Sequence, residues 1–284
     1  MAVELTGMTW AHSRGYSPIV AVTQRYEELH PNVRITWEKR SLADFENQPV
    51  NQLAERYDFL VIDHPWTGFG LASGVVLPLE GLLPRAFLQD QAAHSAGRSY
   101  ESYTIGGHQL ALPIDAATPD RKSMDRLDTP VPRTWEELLS VAGKGHTILA
   151  AAPLYTLLDF FMFCATIAGG EDRLYLEEEI APREVAEEAL ERQRELTSLC
   201  PELIFQINPI EVHELLSGDG EEYGYCPFVF GYVNYFRPGY SRHVLKAANV
   251  VAFRNGLLKT TLGGTGLAIS SRCGHLAEAT DFMQ

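Results

Sequence analysis

The chain has 284 residues, 45% of them hydrophobic and 21% charged, which is ordinary for one large globular domain or two smaller ones. Its formal net charge of -14 leaves no basic surface for phosphate backbones, so nucleic acid is excluded as a partner. The acidity favours solubility and is silent on fold.

In chain order, "VELTGMT" reads as a short strand, and Ser17-Pro18 then opens a helix, with Pro18 at the first position where a missing N–H is harmless. Ile19, Val22, Tyr26 and Leu29 recur at helical spacing and predict its buried stripe. "VRITW" alternates as a strand. Ser41 starts a second helix, interrupted or kinked at Pro49. "YDFLVID" is nearly all apolar, as a strand buried on both faces would be. Strand, helix, strand, helix, strand implies a mainly parallel sheet with right-handed crossovers.

Further on, Thr134 and Glu137 form a capping-box pattern before "WEELLSVA". "HTILAAA" reads as a short strand. An apolar helix near Leu157 follows, then a charged helix through "REVAEEALERQREL" whose buried face is marked by Val185, Ala189 and Leu196. "EYGYCPFVFGY" is an aromatic strand, and "VVAF" and "GLAIS" read as later strands. The chain stops in "HLAEATDFMQ", an amphipathic helix without a C-cap, which reads as a missing C-terminal segment. The greasiest stretch, "LYTLLDFFMFCATIAGG", is too short for a membrane span and carries Asp159. The N-terminus has no basic region followed by an apolar one, so no secretion signal is read; cytoplasmic retention and prior removal of a leader both stand. Cys164, Cys200, Cys226 and Cys273 show no metal-site spacing and read as isolated buried thiols, with a long-range disulfide left open.

Signals for catalysis are weak. "GFG" at Gly68 and "GGTG" at Gly263 lack the context of a phosphate loop, and there is no nucleophile elbow or Walker lysine. No catalytic residue, metal or cofactor is expected. Binding signals are stronger, because loops at the carboxyl ends of parallel strands are where open α/β sheets hold ligands. Three clusters fit that place: Trp10, His12, Arg14 and Tyr16; then Asp63, His64 and Trp66; then Asp115 with Thr118. A fourth set, Tyr232, Asn234, Tyr235 and Arg237, follows the aromatic strand. Aromatic faces beside Arg, Asp, Asn and His suit a polar ring-shaped ligand. Each residue also has a structural alternative: Trp10, Trp66 and Tyr232 as core, His12 and Asp63 as caps, Arg237 in a surface ion pair.

The ordered pieces "RYEELHPNVRITWEKRSLADF", "YDFLVIDHPWTGFGLASGVVLPLE", "LALPIDAAT", "PRTWEELL" and "GGTGLAISSRCGHLAEATDFMQ" resemble the extracellular solute-binding proteins of ABC importers, family 1, the sugar- and maltose-binding group. The resemblance implies an α/β, two-lobed fold of the type II periplasmic-binding-protein class, with a hinge between lobes and a C-terminal part missing. It places residues 1–114 and 250–284 in the first lobe and 115–249 in the second. It implies a carbohydrate or small, even acidic, sugar-derived solute held in the interlobe cleft, permease subunits as partners, a monomer, and a periplasmic or extracellular location. The alternative is an enzyme or cytoplasmic sensor on the same fold. Two departures stand out: a short crossover through "DAATPDRKSMDRLDTP", and an end where the family continues.

Overall fold

The computed structural model describes residues 2–123, 131–175, 178–254 and 256–284. Of the expected crossover segment, residues 124–130 therefore lie outside the described residues. The chain divides into two compact units, residues 1–116 with 263–284, and residues 117–262. Each has its own apolar core.

Unit 1 begins with strand β1 (Val3–Trp10), helix α1 (Ser13–Leu29) and strand β2 (Val33–Arg40). Helices α2 (Leu42–Asn47) and α3 (Val50–Ala54) follow. Ser41 caps α2 by accepting the amide of Asp44, and Pro49 separates the two helices, as the sequence suggests. Strand β3 (Phe59–Asp63) leads to α4 (Pro65–Ala72) and α5 (Arg85–His94), then a minimal hairpin of β4 (Thr104–Ile105) and β5 (His108–Gln109), then β6 (Leu112–Ala117). Phe59, Leu60, Val61 and Ile62 are all buried, as their uninterrupted apolar run predicts.

Unit 2 opens with β7 (Pro119–Ser123) and α6 (Trp135–Ala142), capped by the Thr134 hydroxyl. The apolar α7 (Pro153–Ala168) ends at Gly169, whose φ of 84° is the left-handed turn that glycine adopts freely. The charged α8 (Arg183–Thr197) buries Val185, Ala189 and Leu196 and leaves pairs such as Arg183–Glu187 in solvent. Then come α9 (Pro209–Ser217), held by an Asn208/Glu211 capping box, and β8 (Tyr225–Phe230), β9 (Lys246–Ala248), β10 (Ala252–Phe253) and β11 (Gly256–Leu257). Strands β8 and β9 flank β7, both antiparallel to it. "HTILAAA" makes one bridge, Thr147 to Tyr225, rather than a strand. Its amides go to different partners, Ile148 to Tyr225 and Ala151 to Ile204, so no ladder forms.

The chain then returns to unit 1 as β12 (Gly263–Ile269) and helix α10 (Leu276–Phe282). The unit 1 sheet runs β2-β1-β3-β12-β6. Strand β1 is parallel to β2 and β3, whereas β12 is antiparallel to β3. The return comes later than residue 250: Val250, Val251, Phe253 and Leu258 are buried in the unit 2 core, and burial of those side chains keeps the segment there.

Helix α1 departs from expectation in two ways. It starts at Ser13, with Pro18 inside it. Its buried stripe is Gly15, Ile19, Thr23 and Tyr26, while Val22 and Leu29 are exposed. Thr23 is buried because its hydroxyl accepts the indole N–H of Trp37 at 2.8 Å. The Trp37 ring lies over Gly7, where a Cβ would fall 2.4 Å from it. All four cysteines are free thiols, pushed up by burial to about 11 at Cys164 and Cys273 and to about 12 at Cys200.

Candidate ligand-binding site

The loop after β1 is built around His12. Its Nδ1 accepts the amide of Arg14 at 3.0 Å, and its carbonyl accepts the amides of Gly15 and Tyr16. A side-chain acceptor here satisfies a first-turn amide, which is why the helix begins at Ser13 and not at Ser17. Burial first, and then the Arg14 charge, push the His12 imidazole down to about 4. His12 is therefore a neutral cap.

Trp10, expected to offer a flat face to a ligand, is 1% exposed and belongs to the core. Its ring sits 5.4 Å from Phe45 and against Gly15, where a Cβ would come within 2.5 Å. Glycine at 15 lets α1 approach the ring. Tyr16 is half-buried beneath the Lys39 ammonium, 4.5 Å from the ring centroid.

Arg14 reaches across the unit 1 sheet to Asp115 on β6, with Nη2 2.8 Å from Oδ2 and both side chains 12% exposed. Its Cζ also lies 5.7 Å from the Trp10 ring centroid. Burial raises the Asp115 carboxyl, the charge and hydrogen bond of Arg14 pull it back, and Asp63 raises it again. Asp63 closes β3, and its Oδ1 accepts the amide of His64 at 2.7 Å. The His64 ring shares a 2.8 Å hydrogen bond with Ser102 and stacks on Tyr103 at 4.6 Å. Tyr103 is fully buried and donates to the carbonyl of Gly264 at 3.1 Å; burial, and then Asp63 and Asp115, hold its phenol above the usual range. Trp66 is half-buried, with its indole N–H on the carbonyl of Glu46 at 3.0 Å and Phe69 at its edge.

Three sequence clusters thus meet in unit 1: Arg14, in the first turn of α1, pairs with Asp115 within β6, and Asp63, the last residue of β3, and His64 both act on the Asp115 charge. Ser102 and Tyr103 join them through the His64 ring, without any motif in the sequence to announce it. The fourth cluster lies in unit 2 and is mostly core. Tyr232 and Tyr235 are 3% and 0% exposed. Their rings pack on His213, Tyr235 stacked at 4.8 Å and Tyr232 edge-on at 5.6 Å, and the Tyr235 hydroxyl donates to the Glu214 carboxylate. Packing has taken the faces that were expected to meet a ligand. Asn234 is half-buried and Arg237 is exposed. Thr118 accepts from or donates to Thr260 at 2.6 Å and lies 3.1 Å from the carbonyl of Thr261.

Among the described residues no group of His, Cys, Asp and Glu could hold a metal ion, and no helix is long and apolar enough to cross a membrane. No family model matches the sequence, and no curated protein matches it. The fold, by contrast, is shared with many solved structures. The maltose-bound MalE3 protein of T. maritima superposes with a TM-score of 0.80 at 16% identity, covering 99% of this chain and 76% of its own. An ABC transporter solute-binding protein of Thermotoga lettingae, bound with alpha-D-tagatose, gives 0.79 at 15% identity over 99% and 77%. The maltotriose-binding protein of Thermus thermophilus gives 0.73 at 16% over 99% and 75%. The chain has the mixed α/β, type II fold of these solute-binding proteins.

Proposed function

We propose that the protein is the solute-binding component of an ABC-type importer and takes a carbohydrate or a small sugar-derived polar solute without chemically changing it. The observation that carries this reading is the meeting of Arg14, Asp63, His64 and Asp115 in unit 1, on a fold shared along 99% of the chain with sugar-bound proteins. Carboxylates and an imidazole are acceptors and directional donors for hydroxyl groups. Trp66 and Tyr16, both half-buried, are the aromatic surfaces left to meet a sugar ring. In this reading the partners are permease subunits, the receptor works as a monomer, and it acts outside the cytoplasmic membrane.

The test is a thermal-shift screen of mono- and oligosaccharides, polyols and sugar acids against the intact chain. A ligand at a hundred times its Kd should add roughly 2.7 kcal/mol to stability. No shift with any of them sinks the proposal, and turnover of a bound sugar moves it to an enzyme.

A further inference from the structure

The charge balance of the unit 1 cluster has a consequence for the ligand. Arg14 is the group that would greet an acid, and it is already engaged. Its guanidinium is 2.8 Å from the Asp115 carboxylate, with only 12% of either side chain exposed. The first-turn amides of α1 are likewise held, by His12. Asp63 brings a second carboxylate one strand away: it stands opposite Thr265 on β12, whose neighbour Gly264 lies against the Asp115 backbone, and its charge raises the Asp115 carboxyl. Asp115 has the Arg14 guanidinium as its partner, whereas Asp63 has only the His64 imidazole beside it, Nδ1 3.5 Å from Oδ1. Asp63 Oδ1 takes the amide of His64, and its Oδ2 carries no hydrogen bond from a described residue.

A second, independent observation lies on the strand beside it. Thr265 pairs directly with Asp63 in the β3–β12 register, so the two side chains share a face. Thr265 is 4% exposed, and its hydroxyl oxygen is buried with no hydrogen-bond partner among the described residues. Thr67, on the helix that follows Asp63 and His64, is buried in the same condition. A buried hydroxyl without a partner is uncommon, because desolvation is then uncompensated. The Thr265 hydroxyl stands on the same face as the Asp63 carboxylate, an arrangement that accepts N–H donors arriving from one side.

We propose that, within the carbohydrate-binding function argued above and resting on it, this site selects a cationic ligand, an amino sugar or amino polyol, with its ammonium group held by Asp63 and Asp115. A carboxylate-bearing sugar meets two fixed negative charges and an arginine already paired, so sugar acids are the disfavoured class. The field of the whole chain, with formal net charge -14, acts in the same direction on the approaching ligand.

Calorimetry on the intact chain at neutral pH and low salt tests this with matched probes: D-glucitol, 1-amino-1-deoxy-D-glucitol and D-gluconate, and D-glucose, D-glucosamine and D-glucuronate, with maltose and maltotriose as further neutral probes. The amine should bind at least about tenfold more tightly than its neutral parent, as one unit charge near the surface of a protein allows, and the acid more weakly than either. The amine's advantage should shrink in 0.5 M salt, and Asp63→Asn should bring the amine-to-neutral ratio towards one. Neutral probes binding as tightly as their amines, or an acid binding best, overturns this inference and leaves the transport function standing. No binding by any neutral, cationic or anionic probe overturns both. The salt series on the unaltered chain reads the same charge preference if Asp63→Asn fails to fold.

Discussion

Replacing Arg14 by alanine should destabilise unit 1, and the loss should be recovered by changing its partner. The pair is at 2.8 Å with each side chain 12% exposed, so Asp115 is left as a largely buried carboxylate with no cation. Two unit charges 2.8 Å apart attract by about 6 kcal/mol at an effective dielectric constant near 20, and desolvation offsets much of that. Removing one partner of such a pair exposes the desolvation penalty, and about 2–4 kcal/mol of lost stability is expected. Asp115→Asn alone should cost less, since an amide needs no counter-charge, and the double variant Arg14→Ala/Asp115→Asn should be more stable than Arg14→Ala. The pH dependence has a fixed sign. The folded-state pKa of Asp115 is already raised, and without Arg14 it rises further, so the penalty is full at neutral pH and fades as acidification protonates the group. The gap between the native chain and Arg14→Ala should therefore narrow from pH 7 towards about pH 4, the ordinary carboxylate range. Urea unfolding followed by tryptophan fluorescence is the assay, since Trp10, Trp37 and Trp66 lie in unit 1 and Trp135 in unit 2. A loss below about 0.5 kcal/mol, within the usual range for a surface substitution, or no recovery in the double variant, would refute the reasoning.

His12→Asn keeps a side-chain cap but removes a group whose folded pKa is depressed to about 4; the native chain should lose on the order of 2 kcal/mol as pH falls from above 6.5 towards 4, and the variant should lose less, by the same urea titration. Gly15→Ala should destabilise by about 1–3 kcal/mol despite alanine's helix propensity, because its Cβ would press within 2.5 Å of the Trp10 ring; a stabilised variant in thermal melts would contradict the packing. Thr23→Val should cost about 1–3 kcal/mol by leaving the Trp37 N–H buried without an acceptor, measurable in the same melts.

How much of this was legible in the sequence depends on distance along the chain. The apolar run of β3 and the Ser41 and Thr134 caps were readable because their causes are local. The start of α1 was not. Ser17-Pro18 is a strong start signal, but the His12 side chain supplies an acceptor five residues earlier, and histidine is not read as a cap. Ile19 and Tyr26 of the expected α1 stripe are buried, but Thr23 and not Val22 faces inward, for the sake of Trp37, a partner 14 positions away. For the proposed site, the carboxyl ends of the strands told where to look, and Arg14, Asp63, His64 and Asp115 are the residues from there that the structure brings together. Their grouping was not visible, since Arg14 and Asp115 are separated by 101 positions. Nor could residue type say which rings were already buried: Trp10, Tyr232 and Tyr235 have the composition of a binding surface and the exposure of a core.

The position of β12 bears on how the protein is made. It pairs with β3 over five residues and stands between β3 and β6, yet it is synthesised only after the whole of unit 2. Until then the emerging chain carries β3, an apolar strand, with one open edge, the kind of edge that recruits other strands. Unit 2 is one continuous segment, residues 117–262, so its described residues are all synthesised before β12 is available to close the unit 1 sheet. A nascent chain halted before residue 263 would present a sheet split at its centre. During translation that gap is where a chaperone would be needed, and where a truncated product would aggregate.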